Sequence, residues 1–223
     1  MVGYRKDRFI YLMIPKNACT TYSTLLARHG WERFEIDVTA DYSNHVVWAH
    51  IQNPRNRYTK GLEQYIGIRF LNQLNLSDPD HAKNYDELLT YLLSDPVIGK
   101  LLISGVFDQH TYSISMMLGP LFNCPINWIP MDLEPVWDDV DECYLDCDGL
   151  TNNFFKEHGI DITVTASDHK NKSNDGQKRI HQEIEKLKIK YAQEHGALVA
   201  NVLTPDNDLY QKVIDFYNQK YNK

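Results

Sequence analysis

An uninterrupted apolar run, Phe9-Ile10-Tyr11-Leu12-Met13-Ile14, ends abruptly at Pro15. A strand covered on both faces has this pattern, so the run predicts a buried parallel strand. Beyond the next polar residues, Tyr22 to His29 carries Leu25, Leu26 and Ala27 and stops at Gly30, which predicts a helix. Arg33 to Val38 predicts a second strand. His45 to Gln52, with Val46, Val47, Trp48 and Ile51, predicts a third, broken by Asn53-Pro54. Arg57 to Leu74 has helical spacing through Leu62, Tyr65, Ile66 and Phe70. Asp78 to Asp80 reads as a turn, and Tyr85 to Leu93 and Gln109 to Leu118 as helices. Ile126 to Met131 predicts a further buried strand, and Leu150 to His158 a short helix before Gly159. Ser167 to Asp175 is polar and loop-like. Gln177 to His195 and Asp208 to Tyr221 predict two more helices. Met1 to Arg8 is polar and charged and predicts no element. Strands interleaved with helices predict an α/β fold with a parallel sheet. In such sheets ligands sit beyond the carboxyl ends of the strands, which points to the first strand-to-helix turn as a ligand site.

Composition narrows the function classes. The chain has 223 residues, 43% of them hydrophobic, which suits one domain with a sizeable core. No Pro/Gly/Ser-rich linker divides it, so a single domain over 1–223 is expected. The net charge is -7, and an acidic balance argues against a nucleic-acid partner, which needs a basic footprint. It leaves room for a local basic pocket around a small anion. The four cysteines, Cys19, Cys124, Cys143 and Cys147, include no Cys-x-x-Cys pair and form no Cys/His pattern of a zinc site. Reduced thiols in a cytoplasmic protein are the expectation. The run Phe9 to Pro15 is too short for a signal-peptide core with a cleavage site, and no stretch is long enough to span a bilayer. No membrane partner is expected.

Candidate chemistry concentrates in Pro15-Lys16-Asn17-Ala18-Cys19-Thr20-Thr21, between the first strand and the first helix. Amides at a helix N-terminus point outward, and the helix dipole favours an anion there. Ala18 and Cys19 are small enough for a phosphate to approach the backbone. Thr20 and Thr21 add hydroxyl donors, and Lys16 adds a positive charge at the mouth. The plainer alternative is an ordinary strand-to-helix turn with an N-cap threonine. The segment is not a Gly-x-x-x-x-Gly-Lys-Ser/Thr loop: both glycines are missing and the lysine precedes the turn. That pattern calls for no Mg²⁺ and no other metal.

The loop resembles the 5′-phosphosulfate loop of sulfotransferases, in particular the carbohydrate-type enzymes with loops similar to Pro-Lys-x-Gly/Ala-Cys/Ser-Thr. A second segment, His50-Ile51-Gln52-Asn53-Pro54-Arg55-Asn56-Arg57-Tyr58-Thr59-Lys60, resembles their Arg-Asn/Asp-Pro-x-x-Arg-x-x-Ser motif. In that family the first Arg and the final Ser hold the donor's 3′-phosphate; here the positions are Gln52 and Lys60. Lysine binds phosphate as a point charge, so the resemblance assigns Lys60, with Arg55 or Arg57, to the missing arginine's task. Phe107-Asp108-Gln109-His110 with Cys124 and Ile126 to Pro130, then His169-Lys170-Asn171-Lys172-Ser173, then Tyr210 to Tyr217, are further echoes in family order. The resemblance implies a three-layer αβα, P-loop nucleotide-hydrolase-like fold with a central parallel sheet. It also implies 3′-phosphoadenosine 5′-phosphosulfate as donor substrate and a hydroxyl-bearing acceptor such as a sugar. The donor contacts would be Lys16, Asn17, Ala18, Cys19, Thr20, Thr21, Gln52, Arg57 and Lys60.

Sulfuryl transfer needs positioning, charge stabilisation and a base. Lys16 would stabilise the leaving nucleotide's bridging oxygen. His50 stands at the carboxyl end of its strand and on the face of Gln52, and His110 lies in the Asp-x-His echo. Both are candidate catalytic residues, and Glu35 and Asp37 offer carboxylates on the second strand. Arg57 and His50 also have plainer readings, as an ion-pair residue and a hydrogen-bonded core histidine. Two other functions stay open: a nucleotide kinase or triphosphatase, and a non-catalytic protein on the same scaffold.

Overall fold

A computed structural model describes residues 1–66, 79, 87, 90, 91, 94, 110–119, 122, 124–131, 147–168 and 175–221. The elements are β1 (Val2–Lys6), β2 (Phe9–Leu12), α1 (Cys19–Arg28), β3 (Glu32–Glu35), β4 (Val46–Ile51) and α2 (Pro54–Ile66). They continue with α3 (Ile114–Leu118), β5 (Ile126–Pro130), α4 (Cys147–Glu157), a 3₁₀ turn at Ala166–Asp168, α5 (Asp175–Lys190) and α6 (Ala192–Tyr221). The turn Asp78 to Asp80, the helix Tyr85 to Leu93, the segment Phe107 to Gln109 and the echo His169 to Ser173 fall wholly or mostly outside the described residues.

Among the described residues the sheet has five strands in the order β3-β1-β2-β4-β5. Its central strands are the two most apolar, β2 and β4. Ile10, Tyr11 and Leu12 of β2 and Val47, Trp48, Ala49 and Ile51 of β4 are buried. These strands run parallel, with Phe9 opposite Val46 and Tyr11 opposite Trp48, and β5 adds a further parallel pair to β4. The architecture is therefore α/β, as expected, but the sheet is mixed. β1 lies antiparallel to both β2 and β3. The expected all-parallel sheet fails because Val2 to Lys6, with two charged residues, turns back through Asp7 onto β2. Asp7 takes a left-handed φ of 52°, a conformation that Asp tolerates better than most residues. Only Gly3 and Tyr4 of this strand are buried, too short an apolar signal to mark a strand.

Trp48 anchors the core. It is fully buried, and its ring meets Tyr11 at 4.5 Å, Phe155 at 5.2 Å and Phe154 at 5.4 Å between centroids. Tyr22 and Leu26 of α1 and Leu150 and Phe155 of α4 complete the same cluster. Other boundaries moved by a few residues. β3 ends at Glu35, and α1 begins at Cys19, three residues ahead of the predicted start, so Cys19, Thr20 and Thr21 form its first turn. The long C-terminal helices divide at Tyr191, and α6 carries Pro205 within it.

The chain divides into two compact units. One comprises 1–54, 114–171 and 206–223; the other comprises 55–113 and 172–205. The first contains the sheet. The second buries Tyr58 and Leu62 of α2 together with Ile180, Ile184, Leu187 and Leu203. No helix among the described residues is long and apolar enough to cross a membrane.

Gly3 offers a direct check on the unexpected strand. A Cβ there would lie 2.7 Å from the Tyr11 carbonyl oxygen and 2.7 Å from Ile36 Cδ1. Because one obstacle is backbone of the adjacent strand, Gly3→Ala should destabilise the protein by about 1–3 kcal/mol in urea denaturation. Unchanged stability would contradict the β1–β2 pairing.

Candidate functional site

Parallel pairing carries β2 and β4 out of the sheet side by side, so the loop after Leu12 emerges next to the end of β4. Two hydrogen bonds exploit this. Asn17 Nδ2 donates to the His50 carbonyl at 2.8 Å. In return, Gln52 Nε2 donates to the Lys16 carbonyl. Asn17 is fully buried and Gln52 nearly so. Between them the loop is a tight turn, closed by Ile14 N donating to Leu12 O and Asn17 N donating to Ile14 O.

The turn is strained. Lys16 has φ 68° and Ala18 φ 54°, both in the left-handed region and neither a glycine. Each such residue costs roughly 1–2 kcal/mol. Asn17, between them, has no positive φ. Left-handed residues alternating with right-handed or extended ones turn successive amides toward one side, a concavity suited to anions. Asn17 Oδ1 adds a further cost, being buried without a partner among the described residues. Strain and an orphaned acceptor in one short loop are typical of functional sites, where packing elsewhere holds the backbone against its preference.

Ala18 is the N-cap of α1, and its side chain offers no oxygen. The alternative of an N-cap threonine is thereby overturned: Thr20 and Thr21 lie inside the first turn. Among the described residues no side-chain cap bond is made at Ala18, so the first-turn amides are placed for an outside acceptor. Thr20 is exposed and Cys19 half-buried, while the Thr20 carbonyl is engaged by Ser23 Oγ and Thr24 Oγ1. The first turn of α1 contains no acidic residue to compete for those amides.

Beneath the loop lies a buried polar chain. Thr151 Oγ1 donates to the Cys147 carbonyl at 2.7 Å, which uses its only proton. Its contact with His50 Nε2 at 3.0 Å therefore requires the proton on His50. His50 Nδ1 then accepts from Tyr11 OH at 3.4 Å. The imidazole centroid lies 3.9 Å from that of the Tyr22 ring, the planes tilted by 31°, and Tyr22 OH donates to Asp148 Oδ1 at 3.1 Å. Burial pushes His50 down from 6.5 to about 3 and raises the Tyr11 and Tyr22 phenols. His50 is thus neutral, enclosed and bonded at both ring nitrogens. As a base it would have to accept a proton at a ring that has no exposed surface in this structure. Its part is to join α4 to β2 and β4 under the loop. Nothing in residues 45–52 signals that role, because Thr151 lies 101 positions away.

Arg57 is fully buried in the second unit and donates through Nη1 to the Tyr112 carbonyl. Lys60 and Arg55 are exposed on α2. His110, half-buried, belongs to the same second unit, and its carbonyl occupies the space that a Cβ on Gly61 would need. Glu35 is exposed on the edge strand β3. Asp37, past the end of that strand, accepts from the amide and hydroxyl of Thr39 at 2.9 and 2.6 Å, and these bonds lower its pKa. Cys19, Cys124 and Cys147 form no disulfide with one another. No group of three or more metal-ligating side chains occurs among the described residues. Comparison with protein-family models, curated proteins and solved structures finds no match to this chain.

Holding His50 neutral makes stability depend on pH. The folded pKa of about 3 lies below the unfolded 6.5, so the unfolded chain takes up a proton first as pH falls. The contribution is complete above 6.5 and is lost progressively from 6.5 down to about 3. One unit below 6.5 the loss from this group is about 1.4 kcal/mol. Urea denaturation at neutral pH and at that lower pH should show the wild type losing this much more than His50→Gln. Equal losses would mean that His50 is not sealed.

Proposed function

We propose that this chain is a sulfotransferase that holds 3′-phosphoadenosine 5′-phosphosulfate on the loop Lys16 to Thr21. Its sulfuryl group would pass to an acceptor hydroxyl, such as one on a carbohydrate. The fold implied by this reading is a three-layer αβα, P-loop-like arrangement. One observation carries the proposal: a strained Lys16-Asn17-Ala18 turn delivers the uncapped N-terminus of α1, with Lys16 at its entrance. The residue types match the task. Backbone amides and threonine hydroxyls suit a tetrahedral anion, and the small Ala18 and Cys19 let it approach. The resemblance of Pro15 to Thr21 to phosphosulfate loops turns that anion into the donor's 5′ end.

In the proposed reaction the acceptor oxygen forms a bond to sulfur while the sulfur–oxygen bond to the nucleotide phosphate breaks. The electron pair of the broken bond stays on the phosphate oxygen, where Lys16 and the first-turn amides of α1 stabilise it. The acceptor's proton passes to a base. The sequence's candidates for that base are His50, His110, Glu35 and Asp37, of which His50 is enclosed in the core. Charge on the transferring group spreads over its peripheral oxygens, as in phosphoryl transfer, so positioning and electrostatics supply most of the rate. For the 3′-phosphate, the resemblance gives Lys60 with Arg55 or Arg57; Lys60 and Arg55 are exposed and Arg57 is buried. The enclosure of His50 also favours a second reading, a nucleotide-binding protein without transferase activity. Binding without transfer would distinguish it.

Adenosine 3′,5′-bisphosphate at about a hundred times its dissociation constant should stabilise the protein by about 2.7 kcal/mol. That corresponds to a rise in Tm of roughly 5–10 °C for a chain of this size. The rise should need no Mg²⁺ and should exceed that from Mg²⁺-ATP. Lys16→Ala should shrink the rise and abolish turnover. No rise at saturating nucleotide would overturn the proposal, and a larger rise with Mg²⁺-ATP would replace it by a kinase or triphosphatase.

A further inference from the structure

We infer that Gln52 is a positioning residue for the anion loop and does not bind the donor's 3′-phosphate. The inference deepens the anion-cradle reading of Lys16 to Thr21 and rests on it for its ligand readout. Gln52 occupies the place where the resembling motif has a phosphate-binding arginine. In this chain its amide Nε2 donates to the carbonyl of Lys16, and the residue is 2% exposed. A side chain so enclosed has almost no surface left for a bulky nucleotide phosphate. Its bond falls on the residue whose backbone conformation is least favoured, Lys16 at φ 68°. Fixing that carbonyl turns the following peptide and presents the amides leading into α1.

Asn17 makes the reciprocal bond from the loop to the His50 carbonyl. The two bonds cross the same gap in opposite directions, two residues apart on β4 and its extension and one apart on the loop. A single bond would let the turn pivot. Together they determine both ends of the Lys16–Asn17 step. A long donor is therefore needed at position 52. Gln supplies it without the positive charge that, buried here, would require its own partner. The missing arginine is thus an exchange of tasks: position 52 builds the 5′ cradle, and the 3′-phosphate is left to a cation elsewhere in the chain.

Gln52→Met keeps length and volume and removes the donor. Gln52→Glu keeps the shape and sets an acceptor against the Lys16 carbonyl, and it serves if the first variant does not fold. Two readouts separate the claims. Hydrogen exchange at the amides of residues 16–18 should accelerate at least about tenfold in either variant, since their ordering depends on this bond. This readout needs no ligand. Second, affinities for adenosine 3′,5′-bisphosphate and for adenosine 5′-phosphate should fall by the same factor, about tenfold, leaving their ratio as in the wild type. A phosphate ligand would behave differently: its loss would weaken only the 3′-phosphorylated nucleotide and reduce the ratio. Unchanged exchange, or a reduced ratio, would overturn the inference. If the wild type binds neither nucleotide, the sulfotransferase proposal fails and the exchange experiment still decides the role of Gln52.

Discussion

The hydrogen bond from Asn17 Nδ2 to the His50 carbonyl, 2.8 Å long, joins β2 and β4 where their parallel pairing runs out. Strand pairing alone would leave the residues after Leu12 free to adopt an ordinary turn. This bond and its counterpart from Gln52 hold the turn in a shape that two of its residues disfavour. The cost of that shape is met from the core below it. Tyr11, Tyr22, Trp48, His50 and Phe155 are all fully buried within one cluster, and His50, Thr151 and Tyr11 connect it with polar bonds. Rigidity of this kind is what an anion site needs, because amides already aimed at the ligand do not have to reorganise when it binds.

The same constraint encloses His50. A histidine that ties three elements together must be enclosed, and enclosure disfavours its charged form. The carbonyl of His50 serves the loop while its ring serves the core, so the residue acts at the site through its backbone.

Much of this was legible in the sequence. The apolar runs at Phe9–Ile14 and Val46–Ile51 mark the central strands because a strand buried on both faces has no polar alternation to hide it. The loop between Pro15 and Thr21 stands out for its small residues and lysine. The β1 hairpin was not legible, since Val2-Gly3-Tyr4-Arg5-Lys6 buries only two residues and turns at Asp7 without an Asn-Gly or Asp-Gly signal. Nor was the mixed sheet that this hairpin creates. The burial of His50 depends on Thr151 and Tyr22, and the task of Gln52 on a carbonyl 36 positions away. Contacts that distant leave no local trace. A motif records which residues recur, not which atoms they bond, so the bond from Gln52 to the Lys16 carbonyl has no signal in it.

The central claim is that the turn after β2 cradles an anion. A crystal structure with adenosine 3′,5′-bisphosphate tests it most directly. The 5′-phosphate is predicted to lie within hydrogen-bonding distance of the backbone amides of Ala18 to Thr21, with the Asn17–His50 and Gln52–Lys16 bonds intact. A nucleotide bound elsewhere, or a turn rearranged so that those amides face away from the phosphate, would contradict the account.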